Sequence, residues 1–173
     1  AYTAFGGDIL QIEVNYFEGK GKLIITGQLG DVMKESAEIA LDYVKSNAKK
    51  FGIDVKFFET HDIHIHVPEG AVPKDGPSAG VTLTTAFVSA LTNKAVDANC
   101  AMTGEVTLRG NVLPIGGLRE KSIAANRSGI TKVFIPKGNV KDIDELPDIV
   151  KENITFMPVD KVDTILKEAI IHD

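Results

Sequence analysis

Several features that mark specialised classes of protein are scarce or missing in this 173-residue sequence. The single cysteine, Cys100, rules out an internal disulfide and suits a reducing compartment. No apolar run approaches the roughly 20 residues that cross a bilayer, and the first residues lack the charged and apolar regions of a signal peptide. The net charge is −5 and no lysine/arginine cluster stands out, so we expect neither a membrane protein nor a nucleic-acid-binding protein.

A signature for ATP binding is also missing. Two Gly-Lys pairs, at 19–20 and 21–22, lack both the glycine five residues earlier and the following serine or threonine of a P-loop. The sequence has no internal repeat and no linker long enough to separate two domains. A chain of this length can bury about 70% of the surface that its unfolded form exposes. We therefore expect residues 1–173 to form one domain that binds no cofactor of its own.

The spacing of apolar residues predicts a mixture of strands and helices in irregular order, which is a mixed α/β (α+β) pattern. Alternation between positions 63 and 67 is typical of a strand. Two further strands, 9–17 and 22–26, are joined by a short turn and resemble a hairpin. The remaining predicted strands span 101–108, 132–135 and 154–157. Helices are predicted from an N-cap at Asp31 to Gly52, over 78–91, 118–128 and 139–146, and after an N-cap at Asp160.

Ser78 is the candidate nucleophile among the six serines because of its setting. It lies where a loop rich in glycine and proline, residues 69–77, becomes an apolar helix. Backbone N–H groups at the start of a helix can stabilise an oxyanion, and Gly76 and Gly80 leave room for a peptide to approach. The same position also suits a serine that only caps the helix. The G-x-S-x-G spacing matches the nucleophile elbow of α/β-hydrolases, although that fold needs a strand leading into the serine.

A serine nucleophile needs a base, and the sequence offers both histidines and lysines. His64 and His66 lie two residues apart on a predicted strand. They suit a polar strand face, a metal site with no evident third ligand, or the base of a serine esterase. Lys121 is the other candidate, because it shares one face of an alanine-rich helix with Leu118. Burial disfavours the ammonium form and lowers the pKa of a lysine, which makes it a usable base near neutral pH.

Several long blocks of the sequence resemble the proteolytic domain of the Lon protease family. They are DGPSAGVTL at 75–83, TGEVTLRG at 103–110 and VLPIGGLREK at 112–121, with further resemblance at 27–36 and 64–71. The resemblance covers nearly the whole chain and is weakest after about residue 139. Arg119 stands where the family more often has lysine, a difference that keeps the charge. The Asp-Gly-Pro-Ser form is similar to that of the bacterial and organellar branch.

The resemblance implies a serine endopeptidase site made of Ser78, Lys121, Thr103, Asp75, Gly76 and Pro77. Ser78 would be the nucleophile and Lys121 the general base of a Ser–Lys dyad that acts through an acyl-enzyme. Thr103 would help to orient the lysine. Asp75 falls on the acidic loop residue beside the serine, and our own hypothesis for it is a gate that pairs with Lys121 when substrate is absent. Backbone N–H groups, including that of Ser78, would form the oxyanion hole.

The resemblance also implies properties of a longer protein. Full-length Lon proteases carry a ring-forming ATPase module that uses ATP and Mg, assemble as hexamers, and degrade unfolded, damaged and regulatory proteins. We expect this chain to be the proteolytic domain of such a protease, from the bacterial cytoplasm or, alternatively, the mitochondrial matrix. The fold that the resemblance implies is mixed α/β, with small β-sheets flanked by helices. It should resemble the domain shared by several nucleotide-kinase and ribosomal-protein folds, a likeness that implies no common function. A non-catalytic module that binds extended peptides is the main alternative.

Overall fold

A computed structural model of the protein describes residues 2–3, 6–7, 9–68 and 74–170. The strands are β1 (Tyr2–Thr3), β2 (Gly6–Gly7), β3 (Glu13–Glu18), β4 (Leu23–Thr26), β5 (His61–His66), β6 (Cys100–Met102), β7 (Glu105–Val106), β8 (Val112–Leu113), β9 (Lys132–Pro136) and β10 (Thr155–Val159). The helices are α1 (Asp31–Ser46), α2 (Phe57–Thr60), α3 (Gly80–Thr92), α4 (Leu118–Arg127), α5 (Asp148–Asn153), α6 (Val162–Ala169) and a 3₁₀ helix, Lys137–Glu145. This is the mixed α/β architecture that the sequence predicts, with small sheets flanked by helices.

Strand β5 is the centre of a three-stranded sheet with the order β3-β5-β4. As predicted, its side chains alternate: Ile63 and Ile65 are buried in the core, whereas His64 between them is half-buried. The predicted hairpin is wrong, because β5 lies between β3 and β4, antiparallel to the first and parallel to the second. The turn after β3 exists, but it is fastened to β5, since N–H groups of residues 20–22 donate to the Asp62 carboxylate.

The second sheet is parallel and has the order β10-β9-β6. The predicted strand over 101–108 is wrong in one respect, because the chain changes sheets within it. Strand β6 belongs to the parallel sheet, whereas β7 pairs with β8 in a separate antiparallel ribbon. Thr103 and Gly104 form the break between the two strands. Apolar residues recur on both sides of the break, at Met102 and Val106, so the residue pattern does not reveal it.

Helices α1 and α3 pack against each other and cover the first sheet. Ala37, Ala40 and Val44 recur at helical spacing on α1 and are inaccessible to solvent, as are Leu83 and Phe87 on α3. Burial of one large apolar side chain stabilises a fold by about 1.5–3 kcal/mol. The α1–α3 interface therefore holds the start of α3, where the candidate nucleophile is attached, firmly on the sheet.

Helix α4 belongs to a different apolar cluster, together with α5 and β9. Leu118 and Ala125 on α4 are buried against Val133 and Ile135 of β9. The helix ends close to the predicted position, and Gly129 after it has a left-handed φ of 78°. The α4 helix and the α1–α3 pair thus approach the candidate site from separate parts of the core.

Two predicted helix caps are wrong. Gly30 occupies the N-cap of α1, so Asp31 is the first helical residue. Lys161, rather than Asp160, occupies the N-cap of α6. Neither N-cap residue bonds to its helix through a side chain, so the usual local capping bond is not what starts these helices. Helix α1 also ends at Ser46, and further turns lead to the predicted end at Gly52.

Some elements differ in extent from the prediction or were not predicted. The short helices α2 and α5 were not anticipated, and the helix predicted over 139–146 is the 3₁₀ helix, which starts at Lys137. Strand β3 starts at Glu13 rather than at residue 9. Positions 69–73 of the predicted loop lie outside the described residues. Within the described part of the chain, no helix is long and apolar enough to cross a membrane.

Candidate active site

Ser78 is half-buried and lies in the turn that leads into α3. The helix begins at Gly80, slightly later than predicted. The Gly80 N–H donates to the Pro77 carbonyl at 3.2 Å, which closes the turn on the helix. Before the turn, Lys74 pairs with Leu29 in a short parallel bridge. The nucleophile candidate is thus held between a bridge on one side and a regular helix on the other.

The break between β6 and β7 fastens this turn to the second sheet. The Gly104 N–H donates to the Ser78 carbonyl at 2.8 Å, and the Val81 N–H donates to the Gly104 carbonyl at 3.1 Å. A Cβ atom built on Gly80 would lie 2.8 Å from the Val106 backbone nitrogen, so the two segments approach too closely for a larger residue there. Glycine at 80 and the interruption at 104 therefore allow direct backbone contact.

Lys121 lies in the first turns of α4, where its N–H donates to the Gly117 carbonyl at 3.0 Å. Leu118, one turn earlier, is buried in the core. The half-buried Lys121 side chain extends to Thr103, and its Nζ donates to Thr103 Oγ1 at 3.3 Å. Thr103 is itself buried, and its N–H donates to the Phe134 carbonyl at 3.1 Å. The lysine therefore has an acceptor that is anchored to β9.

Burial lowers the pKa of Lys121 from its ordinary value of 10.5 to about 8. The physical cause is desolvation, because an ammonium group loses more hydration energy than a neutral amine when it enters the protein. With a pKa of about 8, about one lysine in ten is neutral at pH 7. At the ordinary value the neutral fraction would be roughly 300-fold smaller. The environment thus supplies a base that an exposed lysine would not.

One cavity of about 590 Å³ is lined by all six residues of the predicted site, which are Asp75, Gly76, Pro77, Ser78, Thr103 and Lys121. Much of the remaining wall is apolar and includes Met33, Leu118 and Val133. A volume of this size is typical of sites that hold small ligands or side chains. The structure thus brings together, on one surface, residues that are up to 46 positions apart in the chain, from Asp75 to Lys121.

The Asp75 carboxylate is held by α1. Its Oδ1 accepts a hydrogen bond from the Met33 N–H at 2.9 Å. Hydrogen bonds from the N–H groups of Met33, Gly76 and Val32 lower the pKa of this carboxyl below its ordinary value, so it is ionised at neutral pH. The gate hypothesis pairs Asp75 with Lys121, whereas the interaction that engages Asp75 here is with the N-terminus of α1.

Donors for an oxyanion are available beside Ser78. The N–H groups of Gly80 and Val81 already donate hydrogen bonds to the carbonyl groups of Pro77 and Gly104, respectively. The preceding N–H groups, those of Ser78 and Ala79, are therefore the candidate oxyanion donors. They lie just before the N-terminus of a 13-residue helix, whose dipole favours negative charge.

The sequence matches the family "Lon protease (S16) C-terminal proteolytic domain" over residues 1–172. The chain belongs to this family. The match includes the segments that carry Ser78, Thr103 and Lys121, and these segments of the Lon domain contribute to the cavity.

Several curated relatives are bacterial Lon proteases. The chain is 58% identical over 171 residues to Lon protease of Bacillus thuringiensis (strain Al Hakam). The aligned region is 99% of this chain and 22% of the relative. It is 62% identical over 165 residues to Lon protease of Mycoplasma mycoides subsp. mycoides SC, covering 95% and 21%. For Lon protease 1 of Bacillus subtilis (strain 168), the identity is 57%, and the aligned region is 99% of this chain and 22% of the relative. The chain thus spans about a fifth of the length of these relatives.

The histidine alternatives find no support in the Lon domain. His64 and His66 both hydrogen-bond to Thr26 Oγ1, at 2.9 and 2.7 Å, and neither lines the cavity that contains Ser78. Among the described residues, no group of three His, Cys, Asp or Glu side chains could hold a metal ion. These histidines fit the polar face of β5. The elbow alternative is also disfavoured, because a turn rather than a strand leads directly into Ser78.

Three residues near the site were not identified from the sequence. Gly104 holds Ser78 through its backbone, and an isolated glycine within a strand pattern was the signal for such a close approach. Ser36 on α1 is buried, and its Oγ donates to the Pro77 carbonyl at a long 3.5 Å. Ser122, next to Lys121, has a buried Oγ without a hydrogen-bond partner in the described structure. No local sequence signal distinguishes either serine from an ordinary helical residue.

Proposed function

We propose that this domain is a serine endopeptidase in which Ser78 is the nucleophile and Lys121 the general base. The observation that carries the proposal is a half-buried lysine of lowered pKa in the same cavity as a serine at the start of a helix. A purely peptide-binding module has no need of this pair. The buried Thr103 hydroxyl supports the proposal further, because it restricts the position of the lysine amine.

In the acylation step, the neutral Nζ of Lys121 takes the proton of the Ser78 hydroxyl as Oγ attacks the carbonyl carbon of the substrate. The carbonyl π electrons move to oxygen, and the N–H groups of Ser78 and Ala79 stabilise the oxyanion. When the intermediate collapses, the C–N bond breaks and the Lys121 ammonium gives its proton to the leaving amine. The products are a free amine terminus and an ester on Ser78.

In the deacylation step, Lys121 is neutral again and acts as base for a water molecule. The water oxygen attacks the ester carbonyl, and the same two N–H groups stabilise the second oxyanion. Collapse breaks the C–O bond to Ser78, and the lysine returns its proton to Oγ. The two steps together hydrolyse one peptide bond and restore the resting state of both side chains.

For the longer protein, we propose that residues 1–173 form a single proteolytic domain of an ATP-dependent Lon protease. The support is that the chain spans about a fifth of its bacterial relatives. The ATPase module would bind ATP and Mg and deliver unfolded, damaged and regulatory proteins to a hexameric chamber. Bacterial relatives favour the cytoplasm over the mitochondrial matrix as its location.

Binding of a peptide boronate, followed by boron NMR, tests the dyad. A serine that attacks boron gives a tetrahedral adduct, which reports on the nucleophile and on the oxyanion donors even when turnover is slow. We expect an adduct with the wild-type chain, none with Ser78→Ala, and a weaker one with Lys121→Ala. Ser128→Ala is a matched control, since Ser128 is exposed at the far end of α4 and should leave the adduct unchanged.

The alternative is a module that binds peptides without cleaving them. It predicts that the boronate binds, if at all, without becoming tetrahedral, and that Ser78→Ala binds as tightly as the wild type. An unchanged adduct in Ser78→Ala would assign the nucleophile to another residue. The absence of any adduct, both in this chain and in the longer Lon protein, would contradict the protease proposal.

A further inference from the structure

The loop before Ser78 is attached to a second segment of the chain, residues 27–36, which the proposed mechanism does not use. The Lys74 N–H donates to the Gln28 carbonyl at 2.9 Å, and the Gly30 N–H donates to the Lys74 carbonyl at 2.7 Å. These bonds set Lys74 beside Leu29 in register. The loop therefore joins the chain just before α1 as a short extra strand.

The turn before α1 is shaped to receive Lys74. Gly27 has a φ of 116° and Gln28 a φ of 60°, and left-handed backbone is unfavourable for a non-glycine residue such as Gln28. The turn directs the Gly27 carbonyl to the Nζ of Lys74, which donates to it at 3.0 Å. Lys74 is buried, with only 7% of its surface exposed. Side-chain and backbone contacts thus hold this residue at the same turn.

Asp75 makes the next contact, with the first turn of α1. A serine or aspartate at an N-cap normally accepts a hydrogen bond from the N–H of the second or third helical residue. In α1 the N-cap is Gly30, which has no side chain, and Met33 is the third helical residue. The Met33 N–H donates instead to Asp75 Oδ1 at 2.9 Å. Asp75 therefore caps α1 from a loop that is remote in sequence.

Gly30 leaves the space that the carboxylate occupies. A Cβ built on Gly30 would lie 2.3 Å from Asp75 Cγ, and the three atoms nearest to it all belong to that carboxylate. The φ of −75° and ψ of 174° at Gly30 are open to any residue, so glycine is needed here for space rather than for conformation. A local N-cap side chain and the Asp75 carboxylate thus exclude each other.

We propose that Asp75 is a positioning residue for Ser78, which it holds in place by capping α1 across the cavity edge. The inference rests on the proposed function, since it concerns the same nucleophile. Only Gly76 and Pro77 separate the capping carboxylate from Ser78. Because a misplacement of about 1 Å can lower a reaction rate by about 100-fold, the cap affects catalysis as well as the stability of α1.

Four variants separate the two effects of the cap. Asp75→Ala removes the cap and should lower both the melting temperature and kcat, the latter by about 10- to 100-fold with a smaller change in KM. Asp75→Asn keeps an oxygen acceptor for Met33 and should recover kcat to within about threefold of the wild type. Gly30→Ser alone should displace the carboxylate and destabilise the protein. Asp75→Ala with Gly30→Ser gives α1 a local cap without the Asp75 contact between the loop and α1.

The double variant decides between positioning and simple stabilisation, with kcat and boronate affinity measured beside the melting temperature. We expect its melting temperature to recover towards the wild type while kcat and boronate affinity stay at least about tenfold below it. Recovery of both would show that Asp75 only stabilises α1 and would overturn the proposal. So would a folded Asp75→Asn variant that loses as much activity as Asp75→Ala, because the Met33 acceptor would then be present without its effect on catalysis. A wild-type protein that forms no boronate adduct would instead contradict the protease proposal itself.

Discussion

Ser78 and Lys121 line the same cavity but are attached to the protein in different ways. Lys121 projects from a regular helix that is packed in the core through Leu118 and Ala125. Ser78 lies in a turn that is held by hydrogen bonds to Gly104 and, through its neighbours, to the start of α1. The base is therefore positioned by apolar packing and the nucleophile by polar contacts at the protein surface.

The difference indicates which half of the site can change most easily. A buried side chain such as Leu118 contributes about 1.5–3 kcal/mol, whereas a single intramolecular hydrogen bond contributes about 1 kcal/mol net. Asp75 and Pro77 are also exposed, so water can replace the contacts of the loop. We expect the lysine to keep its position and its lowered pKa even when the serine loop is disturbed.

The largest expected effect comes from removing either member of the dyad. Ser78→Ala and Lys121→Ala should each lower kcat/KM for a peptide ester by about 1000-fold or more, and the double variant should be no worse than the poorer single one. The reason is that the two side chains act in the same proton transfer. Steady-state kinetics would measure this, with Ser128→Ala as the control. Additive losses would show that the two residues act separately.

The second effect is a dependence of the acylation rate on pH, which reports on the protonation of Lys121 alone. With a Lys121 pKa of about 8, the neutral fraction rises from about 1% at pH 6 to about 90% at pH 9. The rate of acylation should rise by about 90-fold over this range and then level off. Pre-steady-state release of the ester leaving group would measure it, with the fold monitored by circular dichroism. A flat profile would contradict a lysine base.

The third effect sharpens the contrast, because it concerns the Thr103 hydroxyl, which accepts a hydrogen bond from the Lys121 amine. Thr103→Val removes the hydroxyl acceptor without much change in volume, so kcat should fall by about tenfold. Loss of an acceptor for the ammonium also lowers the pKa of Lys121 further, so the midpoint of the profile should shift below about 8.

Thr82→Val is the matched control for Thr103→Val. Thr82 also lines the cavity, but its hydroxyl donates to the Met102 carbonyl at 3.5 Å. The Thr82→Val variant should leave the midpoint of the pH–rate profile unchanged. Equal shifts of the midpoint in both variants would mean that the polarity of the cavity, rather than the Thr103 contact, sets the pKa of Lys121.

The smallest effect is on stability. The folded protein lowers the pKa of Lys121 below its unfolded value, so the burial penalty is complete below about pH 8 and disappears as the pH rises towards 10.5. Lys121→Met should therefore stabilise the domain at pH 7 by about 1 kcal/mol after allowance for partial exposure, or roughly 2–4 °C in Tm. Thermal melts at pH 7 and pH 10 would measure this, and a gain of equal size at both would exclude a titrating lysine.

Local sequence patterns predicted the parts of the fold whose cause is local. Alternation identified β5, and helical spacing of Ala37, Ala40 and Val44 identified α1, because burial on one face requires those periods. The loop-to-helix setting of Ser78 and the shared face of Leu118 and Lys121 were readable for the same reason.

Features that depend on distant parts of the chain were not predictable in this way. The insertion of β5 between β3 and β4 leaves no trace in the turn that suggested a hairpin. The change of sheet at Thr103 is not visible in the sequence, because apolar residues recur on both sides of it. The cap of α1 comes from Asp75, so a local search for an N-cap selected Asp31 instead.

The most direct test of the central claim is an NMR titration of the Lys121 side chain, followed through its Cε and Nζ signals and assigned by comparison with Lys121→Met. A lysine base buried beside Ser78 predicts a signal that titrates near pH 8 and is absent from the variant. The signal should persist in Ser78→Ala, because packing of α4 rather than the serine sets the environment of the amine. A Lys121 signal that titrates above pH 10 would contradict the account, since the base would then be protonated at every pH at which the protein functions.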